Sequence, residues 1–354
     1  DVSPADALIS IDGVAMSTGS QNLRLATKKY KLSVSKNGFE TKTISINPRP
    51  KIPQAVSIQL ITTEEAYWAS RPGVIRTPLG NKLKLFKPKD EVFSMGAPRR
   101  EPGRRANEAE KRIQLQRPFY FAITETSNKE YRQWKSEHNS SSIRGLSLDL
   151  NDQPVANIAW QDAALFCNWL SEKENLPKFY NVVGDRVTSI NWDSNGYRLP
   201  TESEWSWVAK VTKAGSTKVF PWNSPSYPPP FVSGNYADES AKSMLPFTIS
   251  NYNDSFPVSA SVGSFRPNEK GIFNLSGNVA EWVNDFYEIR VNKSEPLVDY
   301  RGPNTGNRHV IRGASWALGS RSELRLSYRE PGYDGKIDVG FRIARYVDKP
   351  KGDL

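Results

Sequence analysis

The side chains able to do chemistry in this chain are few. Among 354 residues there is one cysteine and there are two histidines. A lone thiol, Cys167, excludes an intrachain disulfide. It lies in WQDAALFCNWL, where Trp160, Ala164, Cys167 and Leu170 or Trp169 follow helical spacing, so it reads as a buried structural thiol. His138 sits in a polar SEHNS stretch and His309 in a strand-like RHVIRG segment. Two histidines cannot build a three-histidine iron site. No nucleophile elbow accompanies His309, so a Ser-His-Asp triad has no support. GxGxxG and Walker patterns are absent, which leaves no nucleotide-binding signal. What remains is a charged constellation, Glu323, Arg325, Tyr328 and Arg329, within RGASWALGSRSELRLSYRE. Two arginines near a glutamate make either an ion-paired cluster that holds a cleft together or a groove that grips an anion bidentately.

Composition limits the elements that position these groups. The length exceeds one usual domain and suggests about two. With 37% hydrophobic residues, ten Trp, 25 Pro and 23 Gly, the chain favours irregular backbone stapled by aromatics, and little regular secondary structure is expected. Mean hydropathy is −0.60, and no apolar run approaches the roughly 18–20 residues that span a bilayer. The chain opens at Asp1 without a charged and apolar leader, which reads as a signal or anchor removed, or as an internal start. The net charge of +10 and the isoelectric point near 9.4 suit an acidic partner, an anionic membrane surface or nucleic acid. The densest basic run, RREPGRRANEAEKR from Arg99 to Arg112, is broken by Glu101, Glu108 and Glu110 and carries no aromatic to stack on a base. It reads as a solvated loop, and no nucleic-acid partner is expected.

Residues 1–60 alternate as short strands: ALISIDG, NLRLATKKYKLSVSKNGFETKTISI and AVSIQL, with Asn37-Gly38 as a turn. They form a small antiparallel β-domain, whose order of motifs resembles the PEGA domain, an envelope-associated β-module. A generic immunoglobulin-like sandwich is the alternative. Periodicity lapses over 61–80, read as a linker that Tyr67 and Trp68 could dock. In YRLPTESEWSWVAK, Pro200 sets the first helical turn, Thr201 caps, Glu204 completes a capping box, and Trp205 and Val208 face inward. Thr126-Ser127-Asn128 caps a second helix whose Tyr131 and Trp134 point inward, and Asp162 opens a third.

From 81 to 350 these motifs resemble the formylglycine-generating enzyme family, whose fold is an irregular, loop-rich α+β architecture, C-type-lectin-like in places. The resemblance is carried in order by FSMG with Glu101, Arg104 and Glu108, then PFYFAITETSNKEYRQW, PVANIAWQDAALFCNWLSEK and YRLPTESEWSWVAK, and then FPWNS, GNYAD, GIFNLSGNVAEWVNDFY and the closing RGASW…GFR. In catalytic members two cysteines follow the Ser-Trp pair and bind copper. Those positions fall on Leu318 and Glu323, and neither supplies the soft thiolate that Cu(I) selects. The resemblance therefore implies the fold without the oxidase, no copper, and a degenerate pocket lined by Trp316, Leu318, Glu323, Arg325, Tyr328 and Arg329.

The same resemblance implies structural calcium. One site maps onto Asn274, the carbonyls of Gly277 and Val279, and Glu281, against the alternative that Glu281 pairs with an arginine. A second maps onto Asn235, the Tyr236 carbonyl, Asp254 and the Phe256 carbonyl. Oxygen donors this close in sequence are what Ca²⁺ needs. Cysteine-less members include periplasmic immunity proteins that block lipase toxins delivered by type VI secretion, so a soluble periplasmic or envelope protein that binds such a toxin is the leading expectation. A cysteine-independent oxidoreductase and an envelope scaffold are the competing ones.

Overall fold

The computed structural model describes residues 1–88, 91–289 and 295–348. They divide into two compact units, Asp1–Gly73 with Asp348, and Val74–Val347.

The first unit is built on six strands: β1 (Val2–Ser3), β2 (Leu8–Ile11), β3 (Val14–Thr18), β4 (Tyr30–Ser35), β5 (Lys42–Ile46) and β6 (Ile58–Gln59). Four of them make one antiparallel sheet in the order β3-β2-β4-β5, and β1 pairs in parallel with β6. Leu32 faces Ile44 and Tyr30 faces Ile46, so the alternation read in the sequence places one apolar row on the inner side. That row packs into a core with Ala7, Ile9, Val34, Ile58 and Leu60. Gly38 takes a φ of +77° in the turn after β4, a conformation glycine adopts without strain. Two details differ from the sequence reading. Residues 21–29 form no strand, and β3 carries no alternation because all five of its residues are exposed. Helix α1 (Thr63–Ser70) follows, closed by a Thr62–Glu65 capping box inside the stretch read as linker.

The second unit is mostly irregular backbone with more strand than helix, and its described α-helices are α2 (Asn128–Tyr131), α3 (Trp160–Lys173) and α4 (Glu202–Lys210), beside one 3-10 turn at Glu239–Ala241. Its largest sheet is antiparallel, running Tyr197–Arg198, Ala344–Tyr346, Phe119–Ala122, Lys82–Phe86 and Val74–Arg76. The strand Val74–Arg76 thus belongs to this unit, although it falls in the 61–80 stretch. A four-stranded sheet holds Arg329–Gly332, His309–Arg312, Ala280–Phe286 and Val339–Phe341. In it Glu281 sits between Arg312 on one side and Gly340 on the other.

Local sequence explains the helices. α4 has the expected capping box, with the Thr201 hydroxyl accepting from the Glu204 amide and the Glu204 carboxylate accepting from the Thr201 amide. Pro200 precedes the cap, so the first turn begins at Glu202. α3 starts at Trp160, two residues before Asp162. No side chain caps it, and Asp162 instead takes an ion pair from Lys135 at 2.5 Å. Tyr131 is buried at the end of α2, while Trp134 beyond it is half-buried.

Candidate functional site

The closing segment leaves the strand His309–Arg312 through Gly313. Its φ is +81°, and an added Cβ would lie 3.2 Å from the Trp205 ring, so the chain turns there against α4. Beyond the turn, the six residues expected to line one pocket go to different surroundings. Trp316 is buried with Leu148, Val258 and Val279. Leu318 packs on another cluster that holds Phe220, Trp222, Tyr236 and Leu324. Its environment is hydrocarbon and aromatic, with no sulfur. The Glu323 carboxylate accepts from the Ser320 amide at 2.9 Å and closes the short turn that begins there.

The two arginines are held by several hydrogen bonds each, with Arg325 Nε left unpartnered. Arg325 is fully buried and donates to Glu101 at 2.8 Å, to Glu108 at 2.6 Å and to the Gly103 carbonyl at 2.7 Å. This cluster ties the closing segment to the loop 96–108, which begins at Gly96, whose carbonyl accepts from Lys210 and Ser327. Arg329 makes a fork to Glu202 at 2.7 and 2.9 Å and also donates to the Asn107 and Glu288 carbonyls. Tyr328 lies under the Arg105 guanidinium, 4.6 Å from its ring centre, and donates to Glu330. Arg105 reaches Glu323 at 3.7 Å and Glu330 at 3.6 Å, half-exposed contacts that water screens. The structure therefore brings Glu323 and Tyr328 together through Arg105 and sends Arg325 and Arg329 into two separate buried ion clusters.

Cys167 is fully buried in α3, and burial drives its thiol far above the ordinary range. A thiol held in this state is neither a nucleophile nor a ligand. His309 is stacked on Trp160, their ring centres 3.5 Å apart, and burial lowers its pKa to about 4. Its Nδ1 lies 3.1 Å from the Asn284 carbonyl and must carry the proton to donate there. His138 contacts Ser140 and the Ala156 carbonyl, again within the fold.

In the first calcium set the charged donor, Glu281, is engaged by other side chains. Arg342 donates to both oxygens of Glu281, at 2.5 and 2.8 Å, and Trp205 Nε1 adds a third bond at 2.9 Å. Asn274 turns its amide nitrogen to the buried Glu125 carboxylate at 2.9 and 3.1 Å, which leaves its Oδ1 without a partner. With Glu281 committed to Arg342, the set of Asn274, Gly277, Val279 and Glu281 does not fit a calcium ion.

The second set does. Asn235 is fully buried, donates to the Val258 carbonyl and to Asn278, and leaves Oδ1 unpartnered. Asp254 accepts from the Tyr236 and Phe256 amides, each at 2.9 Å. Beside it the buried Asp238 accepts from the Asp254 amide at 2.5 Å and from the Ser240 amide at 2.9 Å. Among the described residues no lysine or arginine pairs with either acid. Burial first, and the neighbouring Asp238 carboxylate with it, push Asp254 up to about 7. Hard oxygen donors around uncompensated buried negative charge are the chemistry that a divalent calcium ion takes.

Several of these groups escaped the sequence reading. Glu125 is wholly buried, and burial raises its carboxyl to about 7 while Arg342 pulls against that rise. Its only signal was its place in ITETSN. Asp238 closes GNYAD, a motif noted in the sequence without a role for the acid. Arg312 and Arg342 stand in the closing RGASW…GFR motif, which gave no sign of their partners, and Arg105 had no signal beyond its place in the basic run.

The fold is a strand-rich, loop-dominated mixture of α and β elements, and its closing motif is held by buried arginine clusters. Residues 87–347 match the sulfatase-modifying factor enzyme 1-like domain, and the chain belongs to that family. Relatives of both kinds lie within it. A formylglycine-generating enzyme of Streptomyces coelicolor is 28% identical over 57% of this chain, which spans 55% of that relative's length. The mouse inactive C-alpha-formylglycine-generating enzyme 2 is 26% identical over 72% of this chain and 83% of its own. Chaperone protein LppX of Paenibacillus barcinonensis is 29% identical over 64% of this chain and 80% of its own. Among solved structures, Treponema denticola variable protein 1 superposes with a TM-score of 0.61 at 23% identity, over 78% of this chain and all of its own. No described helix is long and apolar enough to cross a membrane.

Proposed function

We propose that this chain is a non-catalytic binding protein of the formylglycine-generating-enzyme fold. The observation that carries the reading is the fate of the two positions where the family's oxidases place copper-binding cysteines. Leu318 is packed into an aromatic and aliphatic cluster, and Glu323 closes a turn. The one thiol in the chain is buried in α3. Copper oxidation that depends on two thiolates has no sulfur to use. Relatives named as inactive and as a chaperone support a protein-facing role.

The version we favour is a periplasmic or envelope immunity protein that binds and neutralises a lipase-type toxin delivered by type VI secretion, with a PEGA-like sandwich as its first unit. The net charge of +10 suits an acidic toxin. The second unit would hold one structural calcium ion through Asn235, Asp254 and the carbonyls of Tyr236 and Phe256. The ion would offset the charge of Asp254 and Asp238 and tie together the loop 234–258. The test is to mix the purified chain with the lipase effectors encoded beside it. A stable complex that suppresses lipase activity is the expected result. A chain that binds and inhibits none of them ends this version of the reading.

A further inference from the structure

The first unit contains a cavity of about 1000 Å³ on the inner side of its sheet, at the upper end of the size of small-molecule pockets. One wall is apolar, made by Ile9, Leu32 and Val34 from the sheet, with Ile44 and Ile46 on β5. The opposite wall is formed by irregular backbone from the segments 21–25 and 47–56. Leu23 and Ile52 stand exposed on this lining, at 37% and 57%. β5 is the last strand of the sheet, and among the described residues no strand pairs with its outer side. Ile44, Ser45 and Ile46 of this edge strand all line the cavity.

Charge marks the same cavity. Arg24, Arg49 and Lys51 line it, are exposed, and have no acidic partner among the described residues. Asp1 is the sole acid on the lining. A free strand edge, an inward apolar row and unpaired cations together match one kind of occupant. An extended chain adds its main-chain hydrogen bonds to the edge and sends every second side chain into the cavity, where apolar residues meet the apolar wall and acidic residues meet the cations across it.

We infer that the groove along β5 is a docking site for an extended peptide segment of a partner protein, whose inward-facing residues are apolar and acidic, bound by strand addition. The inference concerns the first unit alone and stands apart from the fate of Leu318 and Glu323 and from lipase inhibition. A long acyl chain with an anionic head is the occupant it competes against.

A phage-displayed library of fully randomised short peptides, panned on the full chain, tests it. Enrichment of sequences in which every second residue is apolar or acidic, with at least one aspartate or glutamate among them, is expected. The selected peptides should slow amide hydrogen exchange at Lys42–Ile46 and bind the triple variant Arg24→Glu, Arg49→Glu, Lys51→Glu about tenfold more weakly or worse. These three side chains are exposed and unpaired, so the variant should fold as the parent does, which its unchanged thermal unfolding would show. The inference is overturned if no sequence class enriches, if the enriched peptides lack acids or bind the triple variant equally well, or if exchange at β5 is unaffected. It is also overturned if dodecanoate, and no peptide, protects the cavity-lining strands.

Discussion

Two charged regions of the second unit look alike in sequence and differ in how their charge is balanced. Around Arg325 one guanidinium is shared by Glu101, Glu108 and the Gly103 carbonyl, so the buried charges have partners at hydrogen-bond distance. Around Asp254 two acids share a buried loop with an orphaned amide oxygen and, among the described residues, no paired lysine or arginine. The first arrangement is ion-paired and acts as a strut, although Arg325 Nε and Glu108 Oε2 keep no hydrogen-bond partner. The second has no such pairing, and the proposed calcium ion would supply it. Acidic and basic residues in a motif therefore say little until their partners are known, because pairing separates structural charge from a binding site.

The largest effect should come from breaking the strut. Arg325→Leu strands Glu101 and Glu108 without their cation and should cost about 3–5 kcal/mol of unfolding free energy in denaturant titration, as removal of one member of a buried pair does. A loss below roughly 1 kcal/mol would mean that the two regions do not differ as described.

The complementary test loads the second region. Calcium at about a hundredfold above its dissociation constant should raise stability by about 2.7 kcal/mol, read as a shift of the thermal midpoint. Asp254→Asn should abolish that shift, while Asn274→Ala should leave it in place. A shift kept by Asp254→Asn and lost in Asn274→Ala would place the ion at the other loop.

A third buried acid sharpens the comparison through pH. Asp285 accepts from the Glu202 amide at 2.8 Å but leaves Oδ1 unpartnered, and burial, with Glu202 adding to it, raises its pKa to about 8. The folded state then holds a proton that the unfolded chain releases near pH 4, so this group's contribution falls as pH rises from about 4 to about 8. Asp285→Asn should flatten that decline and preserve roughly 1–3 kcal/mol at pH 8, measured by denaturant titration across the range. An unchanged pH slope would show that Asp285 is already balanced.

The smallest effect is expected at Glu323. Its contact with Arg105 is long and half-exposed, so Glu323→Ala should cost no more than about 1 kcal/mol. A loss matching that of Arg325→Leu would make it a second strut.

How much of this was legible in the sequence depended on distance along the chain. The α4 capping box was readable because Thr201 and Glu204 interact within one turn. The alternation of β4 and β5 was readable because one face is buried. β3 was not, since both of its faces meet solvent and no burial pattern is imposed on it. The closing motif showed that Arg325 was present, but its partner Glu101 lies 224 residues away. The pairing of Glu281 with an arginine was one of two readings, but that the partner is Arg342, 61 residues away, was not legible. Contacts at that range are set by the assembled sheets, and a single sequence does not record them.

The central claim is that the positions of Leu318 and Glu323 carry packing and turn closure in place of copper chemistry. It is tested most directly by incubating the protein with Cu(I), oxygen and a C-x-P-x-R peptide, then weighing the peptide by mass spectrometry. The account expects the cysteine to emerge unchanged. Conversion to an aldehyde that depends on this chain and is lost on Glu323→Ala would contradict it.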